Sequence, residues 1–223
     1  MSEPLAIDRV TRTREEARAS YDRLSGSWDL VSGRFEAPHR EAGLQLLAAQ
    51  EGERVLEIGF GTGACVVALG HAVGASGKVT AIDLSPGMHA VASKRVSAAG
   101  LAGRVELVTG DAAWLPWPDG SFDAVFSSFV LELFDIPELP LVLLEWRRVL
   151  REGGRIALVN LVLPETPTVA TRLYRWAHRQ FPTLVDCRPI PARALVEAAG
   201  FKVIDARASM LAGLPVERLL ATR

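Results

Sequence analysis

Between Arg54 and Leu163 the sequence switches repeatedly from short unbroken apolar runs to stretches with apolar residues at helical spacing. "RVLEI" (54–58), "KVTAID" (78–83), "RVELVTGD" (104–111), "FDAVFSSF" (122–129) and "RIALVNLVL" (155–163) have strand length and composition. Between them, 64–73, 85–100 and 137–150 read as helices, the second bounded by Ser85 as N-cap, Pro86 at its first position and Gly100 as stop. Strands that are apolar throughout are covered on both faces, and strands separated by helices run parallel. The pattern predicts an α/β fold with a doubly wound, mostly parallel sheet. "GFKVIDARASM" followed by "LPVERLLA" breaks the alternation and predicts a terminal pair of strands. At 223 residues the chain suits a single domain, 1–223.

The first strand runs into "GFGTGA" (59–64), a turn that lets backbone approach a ligand and points a helix N-terminus at it. Gly59, Gly61 and Ala64 satisfy the dinucleotide spacing G-x-G-x-x-G/A, and Glu57, Gly59, Gly61 and Gly63 equally satisfy E-x-G-x-G-x-G. Asp83 closes the second strand 20 residues past Gly63 and suits a ribose in either case. Glu57 discriminates. Beside a pyrophosphate it would set like charges together, whereas a sulfonium amino acid brings net positive charge. Asp111, followed by Ala112, Trp114 and Leu115, adds an acceptor for an adenine amino group with apolar residues to flank the ring. Together these residues favour S-adenosylmethionine over a dinucleotide.

"VLEIGFGTG", "VTAIDLSPGM", "GDAAWLPWPDGSFDAVFSS" and "EWRRVLREGGRIALVN" resemble consecutive motifs of the class I S-adenosylmethionine-dependent methyltransferases, over about residues 53–161. The resemblance implies a Rossmann-like sheet of seven strands with an antiparallel last strand. It also implies roles: Gly59, Gly61 and Gly63 around the methionine moiety, Asp83 on the ribose, Leu84 and Met88 against the adenine, Asp111 and Ala112 at its edge, and Ser127 near the methionine amino group. S-adenosylhomocysteine would be the product.

Methyl transfer from a sulfonium depends mostly on proximity and orientation, so core motifs identify the donor and not the acceptor. The acceptor belongs to two flanking segments. Residues 1–50 read as a helical cap, with Tyr21-Asp22 in "SYDRLSGSWD" similar to an element of quinone-biosynthesis and bacterial phospholipid N-methyltransferases. Tyr21 is thus a candidate for both cofactor and catalytic contact, through its ring or its hydroxyl. Residues 164–189 exceed an ordinary loop and read as a lid over the acceptor, ahead of a last helix and strands in 190–223. In the lid, Arg172, Arg175 and Arg179 share one helical face with Trp176 at its edge, opposite Leu173, Tyr174, Ala177 and Phe181. A solvated face, a phosphate clamp and an interfacial helix on anionic lipid all fit that pattern. Tyr174, Arg175, Arg179 and Arg188 are therefore candidate acceptor contacts. "LE-x-G-x-GTG" and "DLS-x-x-M" are similar to bacterial phosphatidylethanolamine N-methyltransferases, which makes a phospholipid amine at a membrane surface the leading acceptor. C-methylation of an isoprenoid quinone precursor is the alternative.

Net charge of −1 gives no reason to expect nucleic acid. Two cysteines and four scattered histidines suggest neither a disulfide framework nor a metal site. "MSEPLAIDRV" lacks the basic and apolar regions of a signal peptide, and no apolar run approaches a membrane span, so the expected place is the cytoplasm, with peripheral contact to the inner membrane face. An NAD(P)-dependent oxidoreductase and a non-catalytic cofactor-binding subunit are the readings from other classes.

Overall fold

The structure, a computed structural model, describes residues 7–29, 34–164, 168–181 and 185–223. Residues 30–33 of the break between the first two helices, and Glu165 in the lid, fall outside them. Two helices lead, α1 (Arg14–Leu24) and α2 (Arg34–Leu47). The core follows as β1 (Arg54–Ile58), α3 (Ala64–Ala72), β2 (Lys78–Asp83), α4 (Pro86–Ala98), β3 (Val105–Thr109), β4 (Phe122–Ser128), α5 (Leu139–Val149) and β5 (Leu150–Leu161). The chain ends with α6 (Val169–Gln180), α7 (Ala192–Ala198), β6 (Lys202–Leu211) and β7 (Leu214–Thr222).

The seven strands form one sheet in the order β3-β2-β1-β4-β5-β7-β6. The first five pair in parallel, and β7 inserts antiparallel between β5 and β6. The doubly wound sheet and its terminal strand pair are as the sequence predicts. The largest boundary difference is in β5, which begins at Leu150, earlier than the predicted Arg155. Leu150 pairs with Phe122, Arg155 pairs with Ala124, and residues 151–154 bulge between them. Gly153 takes a positive φ of 71° there, so "REGG" bends the edge of a strand that is already formed.

Side chains alternate between two cores. Leu56, Ile58, Val125 and Leu158 face Trp146 and Leu143 of α5 and Val196 of α7, whereas Val55, Phe126, Ala157 and Val159 face the α2–α3–α4 side. Helix α2 comes close enough to the sheet that a Cβ on Gly43 would stand 2.4 Å from Val159 Cγ2. Strand order reverses between β1 and β4, which opens a crevice at their carboxyl ends. Glu57 lies on the α2 side of β1, in register with Phe126.

Candidate cofactor and acceptor cavity

A cavity of about 1040 Å³ lies at that crevice. Its volume is near the upper end of single-ligand pockets, roughly 300–1,000 Å³, so it has room for a cofactor and an acceptor together. The floor at one end is the glycine turn. Gly59 donates its N–H to the Ile82 carbonyl (2.8 Å), and Asp83 accepts from the amides of Gly61 (2.8 Å) and Ser85 (2.9 Å). Asp83 thereby braces the loop and the start of α4 while its carboxylate still lines the cavity. Burial pushes its pKa up, against the pull of those amides.

The three glycines have different physical reasons. A side chain on Gly59 would strike Val130 at 2.2 Å, and one on Gly63 would strike Ala92 of α4 at 2.9 Å. Gly63 caps α3 and packs against α4, next to the residues that line the cavity. At Gly61 nothing lies within 4 Å of a would-be Cβ, and φ is +51°. That backbone is bare towards open space.

Glu57 is buried on the cavity wall, and its Oε2 has no hydrogen-bond partner. Desolvation raises its pKa well above the ordinary carboxyl range, with the Arg40 charge opposing. Ser128 on β4 also lines the cavity with a buried, unpartnered Oγ. Ser127, the residue expected there, points elsewhere: its hydroxyl donates to the Ile58 carbonyl (3.2 Å) and it is absent from the lining. Neighbouring residues of a strand face opposite ways, so an error of one position exchanges cavity for core. Two orphaned polar groups beside a bare glycine turn fit the polar end of S-adenosylmethionine. Leu84, Met88, Asp111 and Ala112 line the same end. Trp114 is exposed and Leu115 packs in the core, so neither flanks an adenine there.

The N-terminal segment covers this end with polar ties. Asp22 accepts from Ser85 Oγ (2.5 Å) and the Gly87 amide (2.8 Å). Asp29 accepts from Thr62 Oγ1 (2.7 Å) and pairs with Arg95, while Arg14 pairs with Asp111 (2.6 Å) and Glu138 (2.7 Å). Arg9 holds Asp135. Tyr21 lines the cavity, edge-on to Trp28, and donates its hydroxyl to Asp186 (2.5 Å). Burial and the Asp186 charge push the phenol well above its usual pKa, so it keeps its proton. The Arg12 guanidinium lies over the ring, 5.3 Å from its centroid.

The other end is walled by α6, with Tyr174 in the lining as expected and Phe181 half exposed outside it. Ala170, Leu173, Tyr174, Ala177 and His178, at i, i+3, i+4, i+7 and i+8, line the cavity. Arg175 and Arg179 do not; both turn to Asp8, at 2.6 and 3.6 Å. Arg188 is wholly buried outside the cavity, donating to the Phe134 carbonyl, with Nε and Nη1 unpartnered. None of the three arginines stands where a phosphate clamp requires. Tyr174 donates to the Cys187 carbonyl (2.8 Å), and the Cys187 thiol reaches the Phe129 carbonyl (3.7 Å), which seats α6 over the end of β4. Phe129, Leu161 and Leu214 add apolar surface to the cavity, and Val130 reaches across to the glycine turn. Among the described residues there is no cluster able to hold a metal, and no helix is long and apolar enough to cross a membrane.

Residues 55–154 match the family described as Methyltransferase domain. Curated relatives include demethylmenaquinone methyltransferases of Geobacillus kaustophilus (38% identical over 157 residues, 70% of this chain and 64% of the relative) and Listeria monocytogenes (33% over 160 residues, 72% and 65%). The chain spans just under two thirds of these relatives' length. Two solved structures show the same fold at low identity. The 4+2 cyclase SpnF superposes with TM-score 0.80 at 18% identity, covering 99% of both chains. An S-adenosylmethionine-dependent methyltransferase of Aquifex aeolicus gives 0.62 at 22%, covering 92% of this chain and 97% of its own.

Proposed function

The core of this chain is a class I S-adenosylmethionine-dependent methyltransferase domain, and from that premise we propose that it methylates a ring carbon of a hydroxylated aromatic acceptor of the quinol type. S-adenosylmethionine supplies a methyl group already activated on a sulfonium. The chain's part is to bind, orient and exclude water. Glu57, Gly61 and Ser128 would hold the methionine end, Asp83 the ribose, and Leu84, Met88, Asp111 and Ala112 the adenine. Tyr21 would present its ring face to the positive sulfonium.

One observation carries the acceptor class: α6 turns its apolar stripe, not its arginines, to the cavity. A phosphate head group placed against that stripe would meet none of Arg175, Arg179 and Arg188. A flat aromatic ring with few polar atoms suits the walls made by Phe129, Val130, Leu133 and Leu161. The demethylmenaquinone methyltransferases among the relatives support the same reading. It replaces phosphatidylethanolamine as the leading acceptor.

The test is a direct comparison under anaerobic conditions. With radiolabelled S-adenosylmethionine, label should enter 1,4-dihydroxynaphthalene and not vesicles of phosphatidylethanolamine. Label in the lipid alone would reverse the assignment.

A further inference from the structure

A phenolic ring carbon becomes strongly nucleophilic when the neighbouring hydroxyl loses its proton, so a quinol acceptor calls for a base at the α6 end of the cavity. We propose that His178 is that base, an inference that rests on the quinol reading above. His178 lines the cavity one turn beyond Tyr174 and is 5% exposed. Its Nδ1 lies 2.7 Å from the Val185 carbonyl. Only an N–H can face a carbonyl oxygen, so in the neutral ring the proton is on Nδ1 and the lone pair on Nε2. No other hydrogen bond to the ring is made among the described residues, which leaves Nε2 available.

The remaining acids of the wall are already engaged. Asp83 accepts two backbone amides, Asp111 and Glu138 hold Arg14, and Asp135 holds Arg9. Asp186 accepts from Tyr21 and Arg12, and Glu36 pairs with Arg40. Glu57 keeps one open oxygen, but burial favours its protonated form and it stands at the glycine end. His178 combines an oriented ring with an open acceptor atom.

The charged groups around His178 come from two other segments. Asp8, from the segment before α1, lies within charge-interaction range of His178 and is itself held by Arg175 and Arg179. From the loop after α6, Asp186 faces the same region with its charge shared between Arg12 and Tyr21. The acceptor O–H bond breaks, an N–H bond forms at Nε2, and the electron pair stays on oxygen. The ring carbon then bonds the methyl group as the S–CH3 bond breaks, with that electron pair left on sulfur. Loss of the ring C–H proton to water restores the aromatic ring, and the imidazolium returns its proton to the phenolate oxygen. This places the acceptor hydroxyl against α6 and its adjacent ring carbon towards the glycine end.

His178→Gln tests it, because glutamine can still donate to the Val185 carbonyl but offers no base. With 1,4-dihydroxynaphthalene, kcat should fall about a hundredfold to ten-thousandfold, with KM and S-adenosylhomocysteine affinity within twofold. Any rise of rate with pH should lie at more alkaline pH in the variant than in the wild type, because hydroxide ionises the phenol instead. Independently of turnover, adding the naphthalenediol to ¹⁵N-histidine-labelled protein with S-adenosylhomocysteine should shift the His178 Nε2 resonance. An unchanged kcat and pH profile in His178→Gln, with an active wild type, overturns the base. A wild type that methylates phosphatidylethanolamine and not the diol overturns the quinol reading, and the base with it.

Discussion

At the scale of single residues, Glu57 shows how a binding site departs from what stability favours. A carboxyl whose pKa is raised by burial binds its proton more tightly folded than unfolded, so folding stability falls as pH rises above the ordinary carboxyl range. Glu57→Gln removes that penalty and should flatten the loss of melting temperature between mildly acidic and alkaline pH. The same change should weaken S-adenosylhomocysteine binding roughly tenfold to a hundredfold, because a hydrogen bond to a charged group is worth about 1.5–3 kcal/mol. Calorimetry with paired thermal melts checks both; a variant that binds normally would remove Glu57 from the site. Much at this scale was legible in the sequence. Glu57, Asp83, Asp111 and the glycine turn stand out because type and spacing together encode their role. Ser128 was missed by one position, since parity along β4 is set by packing and not by composition. His178 had no signal beyond its place four residues after Tyr174, which matters only once α6 is seated.

At the scale of elements, α2 and the N-terminal segment wall the crevice at the carboxyl ends of the strands into a cavity. Helix α2 carries Glu36 and Arg40 into the wall, and it can do so because Gly43 meets Val159 and Phe126 with no side chain between. Gly43→Ala keeps a helical backbone but forces α2 outward, so overpacking should cost about 1–3 kcal/mol in denaturant unfolding. A neutral outcome would show that α2 is not seated so closely. The N-terminal segment responds to acid instead. Arg9 holds Asp135 down at a pKa of about 2, below the ordinary 3.8, so the tie is intact above that ordinary value and is lost as pH falls from about 4 towards 2. Amide exchange in residues 7–29 should quicken several-fold across that interval, relative to its intrinsic pH dependence, with β1 and β4 still protected. The alternation of strands and helices in 54–163 was legible because parallel strands need unbroken apolar runs. These ties were not, because they join residues such as Asp22 and Ser85 that lie far apart in sequence.

For the whole molecule, the fold alone does not decide the chemistry. A cyclase shares this architecture over nearly its full length, so the activity must follow from what lines the cavity. By periodicity alone the basic face of α6 fits a solvated face, a phosphate clamp or a lipid contact, because helical spacing groups residues into faces without saying which one is buried. Asp8, 167 residues from Arg175, decides the matter by drawing the arginines away and leaving the apolar stripe for the acceptor. The account's central claim is that this cavity joins a sulfonium cofactor to a ring carbon of a hydroxylated aromatic. The most direct measurement supplies S-adenosylmethionine labelled with ¹³C in its methyl group, together with 1,4-dihydroxynaphthalene, and records the ¹³C spectrum of the product. The account predicts an aryl-methyl resonance, well upfield of O- and N-methyl carbons, and a methoxy or methylammonium resonance in its place would contradict it.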